Sequence, residues 1–233
     1  MCESDADKLD TSLKPSVQPP ILGVALDMDG LLFDTEKLYW QVGDTVLQRR
    51  GFRFSSELQQ RMMGRVGVSA IQQMIDFHSL SDDASSLLAE SNELFGAMLD
   101  TNLQPMPGLS EWIEYLKQSG VPFGLATSSQ RRFVDQIFAN IPWRKSLQFI
   151  LTGDDVVNGK PHPEMYLKAA GAMEIDPRQM LVLEDSGNGC KAAVAAGAQT
   201  VAIPSEHTEM QDFGKAILIA DSLADPRLWT LLK

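Results

Sequence analysis

The segment from residue 21 to residue 30, ILGVALDMDG, constrains the fold more than any other part of the chain. Residues 21–26 are apolar and are broken only by Gly23, a pattern typical of a strand buried on both faces of a parallel sheet. Two acids, Asp27 and Asp29, follow at once. They could belong to a solvated turn, since Asp and Gly are ordinary turn residues. Ligands of open α/β sheets bind beyond the carboxyl ends of strands, however, and acids there can hold a divalent cation or attack phosphorus.

From residue 109 onward, helices alternate with short apolar strands. The predicted helices are 109–119, 130–139, 163–172, 187–196 and one at the C-terminus, and the predicted strands are 121–127, 147–151, 180–184, 199–203 and 216–219. Such alternation predicts an α/β fold, namely a doubly wound, Rossmann-like parallel sheet with right-handed crossovers and helices on both faces. All the polar strand ends should then lie along one edge of the sheet.

The stretch from residue 36 to about residue 102 has helical periodicity and no convincing strand. A proline-rich linker follows it and leads back to the alternating region. Residues 1–20 mix Ser, Asp, Lys and Pro, so we expect them to stay outside the fold. The predicted division is a disordered leader at 1–20, an α/β core domain at 21–36 and 106–233, and an inserted all-α cap domain at 37–105.

Polar residues follow the later strands as well as the first. They are Thr127, Ser128, Ser129, Lys160, Glu184 and Asp185. A hydroxyl and the free amides of a helix N-terminus can bind phosphate oxygens, and a lysine supplies a point positive charge. A second pair of acids would complete an oxygen cage for Mg²⁺. Each piece has an ordinary alternative as a helix cap, a loop residue or a turn, but their coincidence at successive strand ends indicates one site.

The predicted cap domain offers three further candidates for binding the substrate. Gly64 and Arg65 lie in a glycine-flanked break between two helices, where a cation could reach a phosphorylated substrate. Tyr39 lies early in the first helix of the insertion. Arg65 could equally be a solvated surface residue. We expect these positions to select the substrate, but the sequence does not specify which substrate that is.

Charge and cysteine content limit the classes of partner. The formal net charge of −11 disfavours broad attraction to nucleic acid or to an anionic membrane, so a small substrate is expected. No apolar run approaches a membrane span, and the N-terminus lacks the order of a secretory signal. The two cysteines, Cys2 and Cys190, do not indicate a disulfide framework. We therefore expect a cytoplasmic protein, with a monomer plausible.

The motifs DMDGLLFDT, ATSS, GKPHPE and LEDS occur in this order, with a helical insert after the first. In this the chain resembles the haloacid dehalogenase superfamily. The position of the insert resembles the branch with a small α-helical cap, which contains β-phosphoglucomutase and many sugar-phosphate and nucleotide phosphatases. The resemblance covers roughly residues 21–220. It implies an enzyme that hydrolyses a small phosphorylated metabolite.

The resemblance also implies catalytic roles. Asp27 would be the nucleophile that forms an aspartyl-phosphate, and Asp29 would be the general acid and base. Thr127 would bind the phosphate, with Ser128 and Ser129 beside it. Lys160 would stabilise the developing charge.

A Mg²⁺ site is implied as well. Asp185, with Glu184 nearby, would complete it together with the Asp27 carboxylate and the backbone carbonyl of Asp29. In-line phosphoryl transfer needs positioning and charge neutralisation, which a metal, a lysine and helix-end amides can provide.

Other outcomes remain open within this family. Dehalogenases lack the second acid of the first motif, so Asp29 speaks against dehalogenation. A β-phosphoglucomutase is the main alternative to a phosphatase. The cap-side His that helps such a mutase to hold off water corresponds here to Tyr39, which favours hydrolysis.

Two alternatives come from other classes of protein. Residues 187–192, GNGCKA, fit the G-x-G-x-x-A fingerprint of a dinucleotide-binding oxidoreductase. The motif lies late in the chain, however, and next to Glu184 and Asp185, which would repel a pyrophosphate. A catalytically silent binding protein is also conceivable, but it would not need all four polar motifs.

Overall fold

The structure is a computed structural model that describes residues 19–62, 65 and 67–232, without the side chain of Asp100. Most of the predicted leader, residues 1–18, and the candidate substrate-binding residue Gly64 lie outside the described residues. Within the described part, no helix combines the length and the apolar character that crossing a bilayer requires.

A six-stranded sheet forms the centre of the molecule, and all its strand pairs are parallel. Its strands are β1 (Gly23–Leu26), β2 (Phe123–Ala126), β3 (Ile150–Leu151), β4 (Met180–Glu184), β5 (Gln199–Ala202) and β6 (Leu218–Ile219). Their order is β3-β2-β1-β4-β5-β6. This is the order of a doubly wound sheet, in which the chain leaves the central strand in opposite directions and opens a crevice at the carboxyl ends. The predicted fold class is confirmed.

Helices cover both faces of the sheet. In chain order they are α1 (Thr35–Gln48), α2 (Ser56–Met62), α3 (Val68–His78), α4 (Ala84–Asn102), α5 (Leu109–Ser119), α6 (Arg131–Phe138), α7 (Glu164–Ala172), α8 (Gly187–Ala196) and α9 (Pro226–Trp229). Side chains of a strand point alternately to the two faces, and the buried clusters follow that rule. Val24 and Leu26 join one cluster, whereas Ala25 joins the other. Burial on both faces explains why β1 reads as a continuous apolar run.

The predicted helical insertion is present as α1–α4, between β1 and β2. Its first helix begins at Thr35, one residue before the predicted helical stretch, because the Asp34 carboxylate accepts a bond from the Lys37 amide and caps the helix. One buried apolar cluster contains both sheet residues such as Leu26 and insertion residues such as Ile71. The insertion therefore packs on the sheet through a shared core. Its division from the rest as a separate domain stays a prediction.

The two edge strands are shorter than predicted. β3 was expected at 147–151 and β6 at 216–219, but each has only two residues in the ladder. An edge strand pairs on one side only, so its apolar flanks can leave the ladder early. Before β3 the chain forms a 3-10 turn at Pro142–Ser146, and Leu147 ends that turn. Apolar character alone did not distinguish these flanks from strand.

The glycines at the two ends of α5 give a matched test of the packing. Both have positive φ, 84° at Gly108 and 72° at Gly120. A Cβ on Gly108 would lie 2.4 Å from the backbone nitrogen of Ala224, whereas a Cβ on Gly120 would meet nothing within 4 Å. Gly120→Ala should cost about 1 kcal/mol of unfolding free energy, the cost of a left-handed Ala. Gly108→Ala should cost more than about 3 kcal/mol, because a backbone clash is added to that strain. Urea unfolding of both variants checks this, and equal losses would contradict the packing of α5 on the loop at Ala224.

Candidate active site

The carboxyl ends of three adjacent strands meet at the crevice of the sheet. Leu26 of β1 is level with Leu125 of β2 and with Leu183 of β4. The register therefore places Asp27, the residue after β1, beside the last residues of both neighbouring strands. These last residues are Ala126 and Glu184. Segments that are far apart in the sequence thus meet here because the sheet is parallel and in register.

Lys160 ties these three strand ends together. Its Nζ donates to Asp27 Oδ1 at 2.6 Å, to Glu184 Oε1 at 2.6 Å and to the carbonyl oxygen of Ala126 at 3.0 Å. The lysine side chain is 6% exposed, so all three donor positions of a buried ammonium are used by the protein. The predicted lysine, nucleophile and acid are therefore in direct contact.

Glu184 is held by more partners than the sequence indicated. Its Oε1 also accepts a bond from the hydroxyl of Tyr166 at 2.6 Å, and its Oε2 accepts from the amide of Ser186 at 3.2 Å and from its hydroxyl at 3.0 Å. Burial, reinforced by Glu184, raises the pKa of Tyr166, so this hydroxyl keeps its proton. The sequence analysis named neither Tyr166 nor Ser186, since nothing in the local sequence indicates that their hydroxyls contact Glu184.

The buried charges at this edge do not balance. Asp27, Glu184 and Asp185 are buried carboxylates, and Lys160 is the ammonium that contacts two of them. Burial, together with Glu184 and Asp29, raises the pKa of Asp27 to about 8 despite the opposing effect of Lys160. Burial, Glu184 and Asp27 likewise hold the pKa of Asp185 well above its usual range. Burial would lower the pKa of Lys160, but Asp27 and Glu184 outweigh it and keep that pKa well above its usual range.

This imbalance fits a divalent cation. One carboxylate oxygen each from Asp27, Glu184 and Asp185 can be chosen so that all three lie within 4.8 Å of one another. With one lysine beside them, three carboxylates leave two negative charges in excess, and hard divalent cations prefer such oxygen ligands. Since the oxygens of Glu184 already accept protein hydrogen bonds, Asp27 and Asp185 are the less encumbered ligands. The residues present therefore fit a metal of this kind.

Asp29 lies in a different environment from Asp27. Its Oδ2 accepts bonds from the hydroxyl of Thr127 at 2.9 Å and from the hydroxyl of Ser129 at 2.7 Å. Its Oδ1 is buried and has no hydrogen-bond partner among the described residues. The two acids are therefore distinguished: Asp27 faces an ammonium, whereas Asp29 is oriented by two hydroxyls and has one buried oxygen without a partner among the described residues.

Two backbone amides near the start of α6, where phosphate binding is predicted, already donate hydrogen bonds to protein side chains. The amide of Ser129 donates to Thr127 Oγ1 at 3.0 Å, and the amide of Arg131 at the start of α6 donates to Asp154 Oδ2 at 2.8 Å. The expectation that the amides at this helix start are free is therefore wrong for these two. Thr127 itself contacts Asp29, and its predicted role in phosphate binding stays a prediction.

A cavity of about 390 Å³ opens beside Asp29 and extends between the sheet and the helical insertion. The predicted substrate-binding residues Tyr39, Arg65, Ser128 and Ser129 all line it. The Tyr39 hydroxyl lies beside Ser129, and burial of this hydroxyl, together with Asp29, raises its pKa, although the residue as a whole is partly exposed. Arg65 is exposed, and its Nε donates to the carbonyl oxygen of Arg61 at 3.1 Å. The structure thus gathers these residues around one space, next to the candidate acid.

The glycine-rich start of α8 has a packing role that bears on the dinucleotide alternative. A Cβ on Gly189 would lie 1.8 Å from Glu184 Oε1, so the helix can approach this carboxylate only with glycine at that position. A buried carboxylate therefore lies against the motif, where a dinucleotide would need its pyrophosphate. The geometry gives these glycines a reason that does not involve a nucleotide.

Comparisons with known proteins show the family to which the chain belongs. A family model described as haloacid dehalogenase-like hydrolase matches residues 24–203. The chain is 32% identical over 227 residues to "(DL)-glycerol-3-phosphatase 1, mitochondrial" of Arabidopsis thaliana, covering 91% of this chain and 74% of the relative. It is 34% identical over 205 residues to "Probable pseudouridine-5'-phosphatase" of Drosophila melanogaster, covering 85% and 88% of the two chains. The fold is similar to that of CbbY from Rhodobacter sphaeroides, solved with phosphate, with a TM-score of 0.78, 24% identity and coverage of 88% and 95%.

Neutralising Asp185 should stabilise the metal-free protein. Asp185→Asn removes one of the crowded carboxylates while keeping its shape, so the midpoint of thermal unfolding at pH 8 without divalent cations should rise by at least about 2–4 °C. Millimolar Mg²⁺ should raise the midpoint of the wild type but not that of the variant. Differential scanning calorimetry measures both effects.

Asp221→Asn is the matched control, since that side chain is 96% exposed. Its unfolding midpoint should stay within about 1 °C of the wild type in both conditions, as is usual for a surface substitution. A destabilised Asp185→Asn, or one that still responds to Mg²⁺ as the wild type does, would contradict the account of the buried charges.

Proposed function

We propose that this chain, which belongs to the haloacid dehalogenase-like hydrolase family, is a Mg²⁺-dependent phosphatase. It would hydrolyse a small phosphomonoester through an aspartyl-phosphate intermediate. The substrate would be a sugar phosphate or a nucleotide. The observation that carries the proposal is the unlike environment of two neighbouring acids: Asp27 bonded to Lys160, and Asp29 bonded to two hydroxyls.

The relatives support hydrolysis of phosphate esters. The two curated relatives described above are named as phosphatases, one of glycerol 3-phosphate and one of pseudouridine 5'-phosphate. Their named substrates differ, so they support the class of reaction more strongly than any one substrate. The helical insertion (α1–α4) would serve as the cap that encloses the leaving group.

Asp27 would attack the phosphorus. Lys160 holds Asp27 Oδ1, which leaves Oδ2 as the attacking oxygen. The new bond joins Oδ2 to phosphorus while the ester oxygen departs, so the phosphoryl group is transferred to the aspartate. The fixed ammonium stabilises charge on the carboxylate and on the transferring group without having to move.

Asp29 would move the protons. The donors on its Oδ2 favour keeping that oxygen as an acceptor, so the acidic proton would reside on Oδ1, which has no partner among the described residues. Oδ1 would give this proton to the leaving alcohol. In the second step Asp29 would remove a proton from the water that attacks the aspartyl-phosphate, which returns Asp27 and releases phosphate.

Mg²⁺ would be held by Asp27 and Asp185, with the backbone carbonyl of Asp29 as the third protein ligand. When bound, it would neutralise the charge on the phosphoryl oxygens. We assign Glu184 to the positioning of Lys160, because its oxygens accept bonds from Lys160, Tyr166 and Ser186.

Replacing the two acids should separate the two steps. Asp27→Asn should lower kcat by more than about 10⁴-fold, since the amide cannot act as the nucleophile. Asp29→Asn should lower kcat by about 10²–10⁴-fold for alkyl phosphates, which need a protonated leaving group. With p-nitrophenyl phosphate, whose leaving group needs no proton, Asp29→Asn should still give a burst of nitrophenol and accumulate phosphate on Asp27. Rapid-quench kinetics and peptide mass spectrometry measure these outcomes.

Asp34→Asn is the matched control, because Asn can also cap α1 and Asp34 lies outside the proposed chemistry. Its kcat should stay within about two-fold of the wild type, and unfolding curves should show that all three variants are folded. Turnover by Asp27→Asn above one thousandth of the wild-type rate would refute the nucleophile. Interconversion of glucose phosphates without release of phosphate would favour the mutase alternative.

A further inference from the structure

Under the proposed function, the leaving alcohol lies in the 390 Å³ cavity, because Asp29 is one of the residues that line it. Asp29, Ser128 and Ser129 line it from the loops that follow β1 and β2, and Gln59, Asn92 and Arg65 line it from the helical insertion. Since Asp29 would protonate the leaving oxygen, the rest of the alcohol extends from there into this cavity. The chemical character of the residues that line this cavity therefore indicates which class of phosphate ester it can bind. This reasoning rests on the proposed function.

The cavity is large for a short polyol. Its volume of 390 Å³ corresponds to roughly a dozen water molecules at about 30 Å³ each. Glycerol, with six non-hydrogen atoms, would leave most of that space to solvent. A larger alcohol is needed to displace the water and to contact both sides of the cavity.

The lining is aromatic rather than suited to sugar hydroxyls alone. Five lining residues are aromatic, Tyr39, Trp40, Phe54, Phe95 and Phe133, whereas aromatic residues make up 7% of the chain. An aromatic residue at the edge of a cavity can simply belong to the hydrophobic core. Phe95, which is 2% exposed, is such a residue. Tyr39 differs, because it remains 43% exposed and lines the cavity.

Tyr39 is presented as a stacking platform. One face of its ring lies on Phe95, with the ring centroids 4.4 Å apart and the planes inclined by 12°. This contact fixes the orientation of the ring, and the exposure of Tyr39 leaves the other face for a ligand. Its hydroxyl lies beside Ser129, which is itself bonded to Asp29, so the ring is next to that acid. A planar group attached near the phosphate would meet this free face.

Polar side chains of the helical insertion can form hydrogen bonds with the edge of such a planar group. The side-chain amides of Gln59 and Asn92 line the cavity, and neither has a hydrogen-bond partner among the residues that the structure describes. Arg65 adds guanidinium donors beside them. An amide both donates and accepts hydrogen bonds, which suits the carbonyl and N–H groups at the edge of a heterocyclic base.

We infer that the substrate is a phosphate ester whose alcohol carries a planar heterocycle, as in a nucleoside or flavin monophosphate, and that Tyr39 selects it by stacking. The phosphate lies at Asp27, the sugar or polyol chain passes Asp29, and the heterocycle covers the free face of Tyr39. Short polyol phosphates reach the same nucleophile but leave the aromatic side of the cavity unfilled.

The test compares esters that differ only in the heterocycle. Uridine 5'-monophosphate and ribose 5-phosphate share the phosphate and the sugar, so the ratio of their kcat/KM values isolates the base. We expect a ratio of about ten or more in favour of uridine 5'-monophosphate, since stacking of one base on an aromatic side chain commonly has an effect of this size. Flavin mononucleotide, as a third substrate, distinguishes a pocket for a single base from one for a larger ring system.

Two variants at one position test the assignment to Tyr39. Tyr39→Phe keeps the ring and loses the hydroxyl, so the ratio should stay within about three-fold of the wild type. Tyr39→Leu loses the ring, so the ratio should fall to about one or two. Using a ratio removes any loss of turnover that both substrates share, including one caused by the missing hydroxyl.

The outcomes separate this inference from the proposed function. Hydrolysis of ribose 5-phosphate as fast as that of both heterocyclic esters would overturn the inference and leave the phosphatase intact. If no ester were hydrolysed, the proposed function would fail. Calorimetric titration of the Asp27→Asn variant with the same esters would then decide the inference by binding, and equal affinities would overturn it.

Discussion

A buried ammonium holds three strand ends of the central sheet together. Lys160 reaches Asp27, Glu184 and the carbonyl of Ala126, which follow or end β1, β4 and β2. Without it, two buried carboxylates would face each other across adjacent strands with no opposite charge, and burial of an uncompensated charge is strongly unfavourable. The parallel register places the acids, and the lysine makes their proximity tolerable. The chemistry and the stability of this edge are therefore set by the same contact.

The negative charge of the buried carboxylates exceeds the positive charge of Lys160, and this excess favours the binding of a divalent cation. Glu184 receives bonds from Tyr166 and Ser186 as well as Lys160, so it is fixed in place. Asp27 and Asp185 keep raised pKa values because burial and like charges oppose their ionisation. Repulsion between these buried carboxylates favours cation binding but destabilises the metal-free protein. The hydrophobic core, which continues from the sheet into the helical insertion, offsets this loss of stability. That insertion also supplies the aromatic side of the cavity beside Asp29.

Sequence reasoning recovered the parts of the fold that depend on periodicity. The central strand β4 and the helices α5 and α8 have the bounds that their patterns predict, because burial on one or both faces fixes those patterns. The edge strands β3 and β6 are shorter than predicted, because pairing on one side is not visible in composition. In the site, the motif residues could be named but not their partners: nothing local indicates that Tyr166 bonds to Glu184, or that Asp154 occupies the amide of Arg131. Such contacts depend on tertiary geometry.

In the proposed mechanism, the acids at this edge form one cation site next to a lysine-bound nucleophile. Anomalous diffraction from crystals soaked in Mn²⁺, which takes the same oxygen ligands as Mg²⁺, tests it most directly. We expect one strong peak bonded to carboxylate oxygens of Asp27 and Asp185, with Glu184 still accepting its bond from Lys160. Manganese bound away from Asp27, or no peak at this edge in crystals soaked to saturation, would contradict it.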